Sequence, residues 1–525
     1  LVASIVATIK PKMTEANKAY WRLATSGKPE EARVAADLET ELRLLMSDRD
    51  TFAKLKAAAA NPTGDTLLDR QLVSLYHGYL ENQLDKDEIA AMVAKANELE
   101  QIFSNFRGTI DGEPVSENDV REVLVKSTDS EVRRKAWQAS KQIGAEVSQK
   151  LIELVKLRNS AARHLGFRNF YAMQLELSEI KHEDMFTLLD ELKRLTDEPF
   201  ARMKAQLDAE QARRFGIAPE AVRPWHYADP FFQEVPTSES VAIDPFFADK
   251  SIADLSVRFY DTVGMDVRDI IARSDLYERA GKNQHAFCTD IDREGDIRVL
   301  CNIHPDGYWM ATMLHELGHA VYDKYVDREL PWLLRQPAHI NSTEAIAMYF
   351  GRLTRDAHWL TAIAGVEASQ AKRLAGALQA EQSRAMLIFV RWVLVMVNFE
   401  SRLYDNPDQD LNQLWWSLVQ ELQLITPPPE LSGHEWATKI HIATVPVYYH
   451  NYLIGEVTAS HLQAHIARET GTEAVAGNEA VGRWLRERFF KSGALYKWNQ
   501  LVEHATGESL TPRYFVAQFV TQDQA

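Results

Sequence analysis

The sequence predicts a mainly α-helical fold with a small β element, and three observations carry that prediction. Segments such as EARVAADLETELRLLM (31–46) place apolar residues three and four apart with charges between them, as amphipathic helices do. Long runs of alternating apolar and polar residues are missing from the sequence, which argues against a sandwich or a parallel sheet. The chain has 525 residues, of which 46% are hydrophobic and 26% are charged, and these fractions are typical of soluble globular proteins.

The order of elements predicts one domain, 1–525, built from two helical parts. Helix follows helix through 1–222. Segment 223–251 is rich in proline and aromatic residues, which favours a long irregular crossover. Helical patterns return in 252–525, interrupted near 285–302 by two short strands.

The two cysteines flank those strands, in CTDIDREGDIRVLC (288–301). A two-residue turn at Glu294 and Gly295 would place Cys288 opposite Cys301, and a disulfide would then fit an oxidising compartment. A longer turn would shift the register, so two buried free thiols remain the alternative.

Charge and hydropathy exclude several classes of function. The net charge of −16 argues against a general binder of nucleic acid or of anionic membranes. The longest apolar run, 385–399, contains Arg391 and is too short for a membrane span, so it predicts a buried helix. Because the chain starts at Leu1, we expect that something upstream has been removed or left out, and we slightly favour an exported or periplasmic location over a cytoplasmic one. The oligomeric state stays open.

The sequence HELGH at 315–319 is the first candidate for chemistry. On a helix, His315 and His319 point nearly the same way and can direct ring nitrogens at one ion. Glu316 lies about a quarter turn away, where a carboxylate can hold and deprotonate a water. The alternative is an ordinary buried helix whose histidines bond to neighbours.

A zinc hydrolase needs a third protein ligand. The extended metzincin motif is excluded, because Tyr322 and Tyr325 occupy its Gly and His positions. Glu344 is the best candidate, since NSTEAIAMYFGRL predicts a helix with this residue in its first turn. His339, in a predicted loop, is the alternative ligand. Glu344 could instead only complement the helix dipole.

This pattern, HELGH followed by Glu344 after 24 intervening residues, resembles the gluzincin peptidases of the angiotensin-converting enzyme family. It also resembles the thimet-oligopeptidase and bacterial dipeptidyl-carboxypeptidase group. The resemblance implies one bound Zn²⁺, a central cleft between two helical halves, a hairpin beside the zinc site, and short peptides as substrates. Residues 252–525 would then be the catalytic half.

Two further segments extend the resemblance. HAFCTDIDREGDIRVLCNI looks like the substrate-binding hairpin of the converting enzymes; His285 then matches a residue that contacts the transition state, and Ala286 a backbone that pairs with bound peptide. In KIHIATVPVYYHNYL, Lys439 and His441 look like the pair that holds the substrate's C-terminal carboxylate and its penultimate carbonyl.

The same segment supplies candidate tyrosines. Tyr452 looks like the tyrosine that polarises the scissile carbonyl, and Tyr449 like its partner three residues earlier. The alignment needs a one-residue gap, so Tyr448 is an alternative. The chain also departs from the converting enzymes. It has Ala347-Met348 where they carry Gly-Asp, so another group must orient a zinc ligand, and their chloride-linked arginine has no clear match.

The resemblance implies a zinc peptidyl-dipeptidase in which Glu316 carries a proton from water to the leaving amine. Tyr452, His441 and His285 would donate to the carbonyl oxygen, and Lys439 and Tyr449 would bind substrate. One alternative is an endo-acting oligopeptidase of the thimet type. Another, from a different class, is a catalytically silent peptide-binding protein.

Overall fold

The computed structural model of the chain describes residues 1–235 and 241–520. About 70% of the residues are helical, and the strands form two small antiparallel sheets of two strands each. The mainly α fold class predicted from the sequence is therefore confirmed.

The elements of the described chain follow one another as helices with few interruptions. The helices are α1 Val2–Ser26, α2 Pro29–Met46, α3 Arg49–Ala59, α4 Thr66–Glu81, α5 Lys86–Asn105, α6 Glu117–Lys126, α7 Ser130–Lys141, α8 Ile143–His164, α9 Phe170–Leu177, α10 His182–Phe215, α11 Ile252–Thr262, α12 Arg268–Arg273, α13 Gly307–Tyr325, α14 Ile340–Gly351, α15 Ala357–Ala362, α16 Ala368–Asp405, α17 Leu411–Gln423, α18 His441–Thr444, α19 Tyr449–Thr470, α20 Glu479–Trp484, α21 Trp498–Thr506 and α22 Arg513–Phe519. The strands are β1 Gly108–Ile110, β2 Glu113–Val115, β3 Phe287–Asp290 and β4 Ile297–Leu300.

The chain folds into two compact units that interleave along the sequence. Of the described residues, unit 1 comprises 1–83, 241–379 and 454–515, and unit 2 comprises 84–235, 380–453 and 516–520. The sequence pattern predicts a different division, into two consecutive halves on either side of 223–251. The prediction of a single domain is not tested by this division and stays a prediction.

Two groups of buried apolar side chains, among others, explain which segments unit 1 contains. The larger group is contributed by α11, α13, α14 and the chain that follows Ile454. The smaller group joins Ile5, Leu55 and Leu72 to Trp332 and Leu333. Because this second group draws α1, α3 and α4 to a segment between α13 and α14, the first 83 residues belong with the HELGH helix.

In unit 2 a buried arginine anchors the crossover. Arg133 of α7 donates to the carbonyl oxygens of Trp225 at 2.7 Å and Tyr227 at 2.8 Å. Two short 3-10 turns, Pro224–His226 and Asp244–Phe246, lie in the predicted crossover. Part of the predicted crossover, 236–240, lies outside the described residues.

The long apolar run 385–399 lies inside α16, as predicted. Its Arg391 is buried, and the guanidinium bonds to Asp197 at 2.7 Å and to the Thr196 hydroxyl at 2.8 Å. A buried arginine needs such partners to offset its lost hydration. Within 1–235 and 241–520, no helix has the length and apolarity that a bilayer crossing demands.

The hairpin exists as predicted, and of the two turn lengths considered from the sequence it has the longer one. Cys288 pairs with Val299, and Phe287 with Leu300, so the two cysteines are not opposite each other. The turn is longer than two residues, because the carboxylates of Asp290 and Asp292 accept backbone N–H groups within it. Both thiols are free.

Candidate metal centre and active site

Helix α13 presents both histidines of the motif on one side. The Asp306 carboxylate begins the helix by accepting the Trp309 N–H at 2.7 Å. Met313, Leu314 and Leu317 are fully buried and fix the rotation of the helix. His315 and His319, four residues apart, therefore face the same way, with their Nε2 atoms 3.3 Å apart and their ring planes at 85°.

Helix α14 brings the third ligand candidate. Glu344 lies in its first turns, and one carboxylate oxygen is 3.6 Å from His315 Nε2 and 3.9 Å from His319 Nε2. His339 starts this helix, and its Nδ1 accepts the Asn341 N–H at 3.1 Å. Of the two candidates considered from the sequence, Glu344 is the one that converges with the histidine pair.

The triangle of donor atoms fits a tetrahedral zinc ion. Bonds of about 2.0–2.2 Å place tetrahedral ligands about 3.3–3.6 Å apart, close to the separations of 3.3, 3.6 and 3.9 Å. Burial lowers the pKa of His315 to about 4 and that of His319 further, so both rings are neutral and have lone pairs for a metal. Two imidazoles and one carboxylate leave a fourth position open, as catalytic zinc sites do.

Close packing of α13 on α14 makes this convergence possible. A methyl group placed on Gly318 would lie 2.8 Å from the Cα of Ala347. A methyl group on Gly455 of α19 would lie 3.2 Å from the Cβ of Glu344. Glycine at these two positions lets neighbouring backbones approach. Neither glycine was singled out from the sequence, because the close approach is visible only in three dimensions.

Thr343 takes the orienting role for which the sequence offered no carboxylate. Its hydroxyl lies 2.7 Å from His319 Nδ1. With the ring proton on Nδ1, the histidine donates to this hydroxyl and keeps Nε2 free of a proton for the metal. Thr343 immediately precedes Glu344, and this adjacency is the signal that could have identified it.

Glu316 is buried beside the donor triangle, with 6% of its surface exposed. Burial first, and the neighbouring Glu344 carboxylate second, raise its pKa to about 8. A divalent cation held by the three ligand candidates would favour the charged form and oppose this shift. The protonation state of this buried carboxyl group therefore depends on whether a cation is bound by the three neighbouring residues.

The hairpin residues predicted to meet substrate lie just before β3. His285 is exposed, and its backbone N–H donates to the Asn283 side chain at 2.9 Å. Ala286 packs against the larger core of unit 1. Both residues belong to the same unit as the donor triangle.

The remaining predicted residues cluster in unit 2. The Tyr449 ring lies 5.0 Å from the His441 ring and 5.7 Å from the Tyr452 ring, and Tyr448 also packs on Tyr452 at 5.0 Å. Lys439 donates to the Gln233 side-chain oxygen at 2.9 Å, and burial lowers its pKa. The structure thus brings together the ligand candidates in unit 1 and the ring cluster of Tyr449 in unit 2, and it shows His285 and Ala286 only as members of unit 1.

A second set of possible ligands, His461, His465 and Glu508, has a different geometry. The two rings are stacked, 4.7 Å apart and only 8° from parallel. Nitrogen lone pairs lie in the ring planes, so stacked parallel rings cannot direct them at one ion. The Arg468 guanidinium also bonds to His465 Nδ1 at 2.6 Å, and the Tyr514 hydroxyl donates to Glu508 at 2.8 Å. These three residues therefore form a hydrogen-bonded cluster and not a metal site.

The helical fold and the His-His-Glu triangle with an adjacent buried carboxyl define a metallopeptidase of the gluzincin type. Comparison of the sequence with family models gives the particular family. The model of peptidase family M3 matches residues 123–521, and that of angiotensin-converting enzyme matches residues 2–213. The first match covers well over half of the chain, which therefore belongs to peptidase family M3, a family of zinc metallopeptidases that cleave peptides.

A curated relative agrees with this assignment. The chain is 22% identical over 264 residues to Carboxypeptidase 1 of Bacillus subtilis (strain 168), a match that covers 45% of this chain and 52% of the relative. The matched region thus spans about half the length of that relative. The resemblance inferred from the motifs, to both the converting enzymes and the oligopeptidase group, is confirmed.

Proposed function

We propose that this metallopeptidase is a peptidyl-dipeptidase, which releases dipeptides from the C-terminus of short peptides. The observation that carries the proposal is the geometry of His315, His319 and Glu344, with Glu316 buried beside them. These three residues are proposed to hold one zinc ion. Bound there, zinc supplies a Lewis acid that polarises a carbonyl and acidifies water.

Glu316 is the proposed proton carrier. Its carboxylate accepts the proton of the attacking water and passes it to the leaving amine. Its buried carboxyl group lies beside the donor triangle, where it can take a proton from water and return it to the amine nitrogen.

Tyr452, with His441 and His285, is the proposed source of hydrogen bonds to the carbonyl oxygen. Negative charge grows on that oxygen as the tetrahedral state forms, and a donor aimed at it lowers the barrier by about 2.7–4 kcal/mol in comparable sites. This assignment rests on the family resemblance of the His441–Tyr452 segment and on the contact of both rings with Tyr449.

Lys439 is proposed to set the position of cleavage. Its ammonium bonds to Gln233 and lies over the rings of Phe231 and Trp392, at 5.0 and 5.4 Å from their centres. An ammonium group attracts a carboxylate, and a free peptide C-terminus supplies one. The name of the Bacillus relative, a carboxypeptidase, agrees with attack from this end. The Ala286 backbone and Tyr449 would hold the rest of the peptide.

A defined peptide and its C-terminal amide test the proposal. The zinc-loaded protein should release a dipeptide from the free peptide and leave the amide uncut, with products identified by mass. Lys439→Met should lose that preference. Equal cutting of both peptides would favour an endo-acting oligopeptidase of the thimet type instead.

Glu316→Gln separates catalysis from binding. The variant should keep zinc and its melting temperature but lose at least about 1,000-fold in kcat, because the amide cannot accept the proton. Retained turnover would contradict the assigned role. If the wild-type protein binds peptides but cuts none in a broad library, it is a silent peptide-binding protein.

A further inference from the structure

The bend between α18 and α19 contains a strained residue. Val447 has φ of +57° and is buried. A β-branched side chain rarely adopts this left-handed conformation, which persists only where the surroundings impose it. Among the six described non-glycine residues with positive φ, Val447 is the one with a β-branched side chain.

One end of the bend is fastened by a buried glutamate. The Val447 N–H donates to Glu400 Oε1 at 2.8 Å. Glu400 belongs to α16 and exposes 3% of its surface. This hydrogen bond fixes the orientation of the peptide group at the strained residue.

The other end is fastened by a buried arginine. Arg158 of α8 donates to the carbonyl oxygens of Ile442 at 3.1 Å and Ala443 at 2.7 Å, both in the short helix α18. Arg158 also bonds to the hydroxyl of Tyr404, which lies one helical turn after Glu400 on α16. The two ends of the bend are therefore fastened to one framework made by α8 and α16.

The bend sets the geometry of two proposed catalytic side chains. His441 begins α18, Tyr449 begins α19, and the bend returns the chain so that their rings lie 5.0 Å apart. Tyr449 in turn packs against Tyr452, 5.7 Å between ring centres. A change in the bend would move His441 and Tyr452 relative to each other.

Stability alone does not explain this arrangement. Glycine at 447 would remove the strain, and an apolar residue at 400 would remove the cost of burying a carboxyl group. The chain instead combines a strained residue with two buried ionisable groups.

We propose that Glu400 and Arg158 are positioning residues, which hold the Val447 bend so that His441 and Tyr452 keep the relative orientation that catalysis needs. This inference rests on the proposed function, in which those two residues act on the substrate carbonyl. Neither Glu400 nor Arg158 contacts substrate in this view.

Four variants test the proposal. Val447→Gly frees the bend and should lower kcat by about 10- to 100-fold, with KM changed by less than about 3-fold. Glu400→Leu removes the acceptor and should lower kcat as much. Glu400→Gln keeps an acceptor oxygen and should retain kcat within about 3-fold. Leu424→Gly is the control for release of backbone strain, because the exposed Leu424 has φ of +54° in the same unit, at the end of α17.

The control decides between strain release and positioning. Both glycine variants should shift the melting temperature by no more than about 4 °C, but Leu424→Gly should keep the wild-type kcat. The proposal is wrong if Val447→Gly also keeps the wild-type kcat, or if Glu400→Gln is as impaired as Glu400→Leu.

Amide exchange separates this proposal from the proposed function. Exchange at 448–452 should become faster in Val447→Gly and Glu400→Leu, and should stay unchanged in Leu424→Gly. If the wild-type protein cuts no peptide, the proposed function fails. Unchanged exchange in the first two variants would overturn the positioning role, whatever the activity of the wild type.

Discussion

A single hydroxyl group contacts the ring nitrogen of His319 that faces away from the donor triangle. Thr343 holds His319 through Nδ1, one residue before the proposed ligand Glu344. A neutral hydroxyl orients the ring but makes it less basic than a carboxylate would. The residue before a ligand can therefore determine how well the ligand set is prepared for a metal.

Thr343→Val should weaken zinc binding by about 10- to 100-fold while the fold remains intact, because valine keeps the shape but cannot accept the ring N–H. Competition with a chromogenic chelator measures the change. Thr361→Val is the control, since the Thr361 hydroxyl donates to the Ala357 carbonyl on α15. Equal zinc affinity in the two variants would contradict the role of Thr343.

Glu400 gives a prediction for stability against pH. Burial raises its pKa to about 8 from 4.5, more than Arg158 lowers it, and the rings of Tyr171, Tyr404 and Tyr449 lie near it. The folded state therefore binds this proton more tightly than the unfolded state. The stabilising contribution is complete below the unfolded value of 4.5 and is lost as the pH rises towards 8.

Glu400→Gln should remove that dependence. Relative to wild type, the variant should gain roughly 3–5 kcal/mol of unfolding free energy between pH 5 and pH 9, since it carries no titrating group. Urea unfolding at those two pH values measures the difference. If the difference in unfolding free energy between the variant and the wild type does not grow from pH 5 to pH 9, Glu400 titrates normally.

At the scale of elements, contact between α13 and α14 decides where the ligands meet. The sequence predicted both helices. The two histidines were predicted from their spacing on one helix face, and Glu344 from its place in the first turn of the next helix. The hairpin shows the limit of such reasoning. Its strands were predicted, but the register depended on Asp290 and Asp292 accepting N–H groups inside the turn.

Gly318→Ala should force α13 away from α14, because the new methyl would lie 2.8 Å from Ala347. We expect a loss of about 1–3 kcal/mol in stability and a weaker zinc affinity. Gly376→Ala on α16 is the control, since nothing lies within 4 Å of a methyl there, and it should stabilise by about 1 kcal/mol. Thermal unfolding and chelator competition give both quantities. A Gly318→Ala protein as stable as the control would refute the close-packing argument.

At the scale of the molecule, sequence patterns could not predict which segments make up each of the two units. Periodicity identifies helices but gives no information on which distant segments share a core. The packing of Ile5, Leu55 and Leu72 on Trp332 joins residues far apart in the chain. The same limit applies to His461 and His465. Their spacing of four residues would suggest a pair of metal ligands, whereas their rings are stacked.

Removing zinc should act on one unit first. A chelator should lower the melting temperature, because a ligand that binds the folded state stabilises it by mass action. Hydrogen exchange should quicken in α13 and α14, which carry the proposed ligands, and change little in α7 and α8 of unit 2. A uniform change across both units would contradict a zinc site confined to unit 1.

The register of the hairpin makes the two cysteines usable as chemical reporters. Cys288 Sγ lies 4.0 Å from Asp323, and Cys301 Sγ lies 4.0 Å from the sulfur of Met313, both on α13. Burial raises the pKa of both thiols, so alkylating reagents should leave them unmodified while the hairpin stays closed. Each labelling event would then record one opening of the strands from the helix that bears HELGH, and its rate would time that motion during turnover.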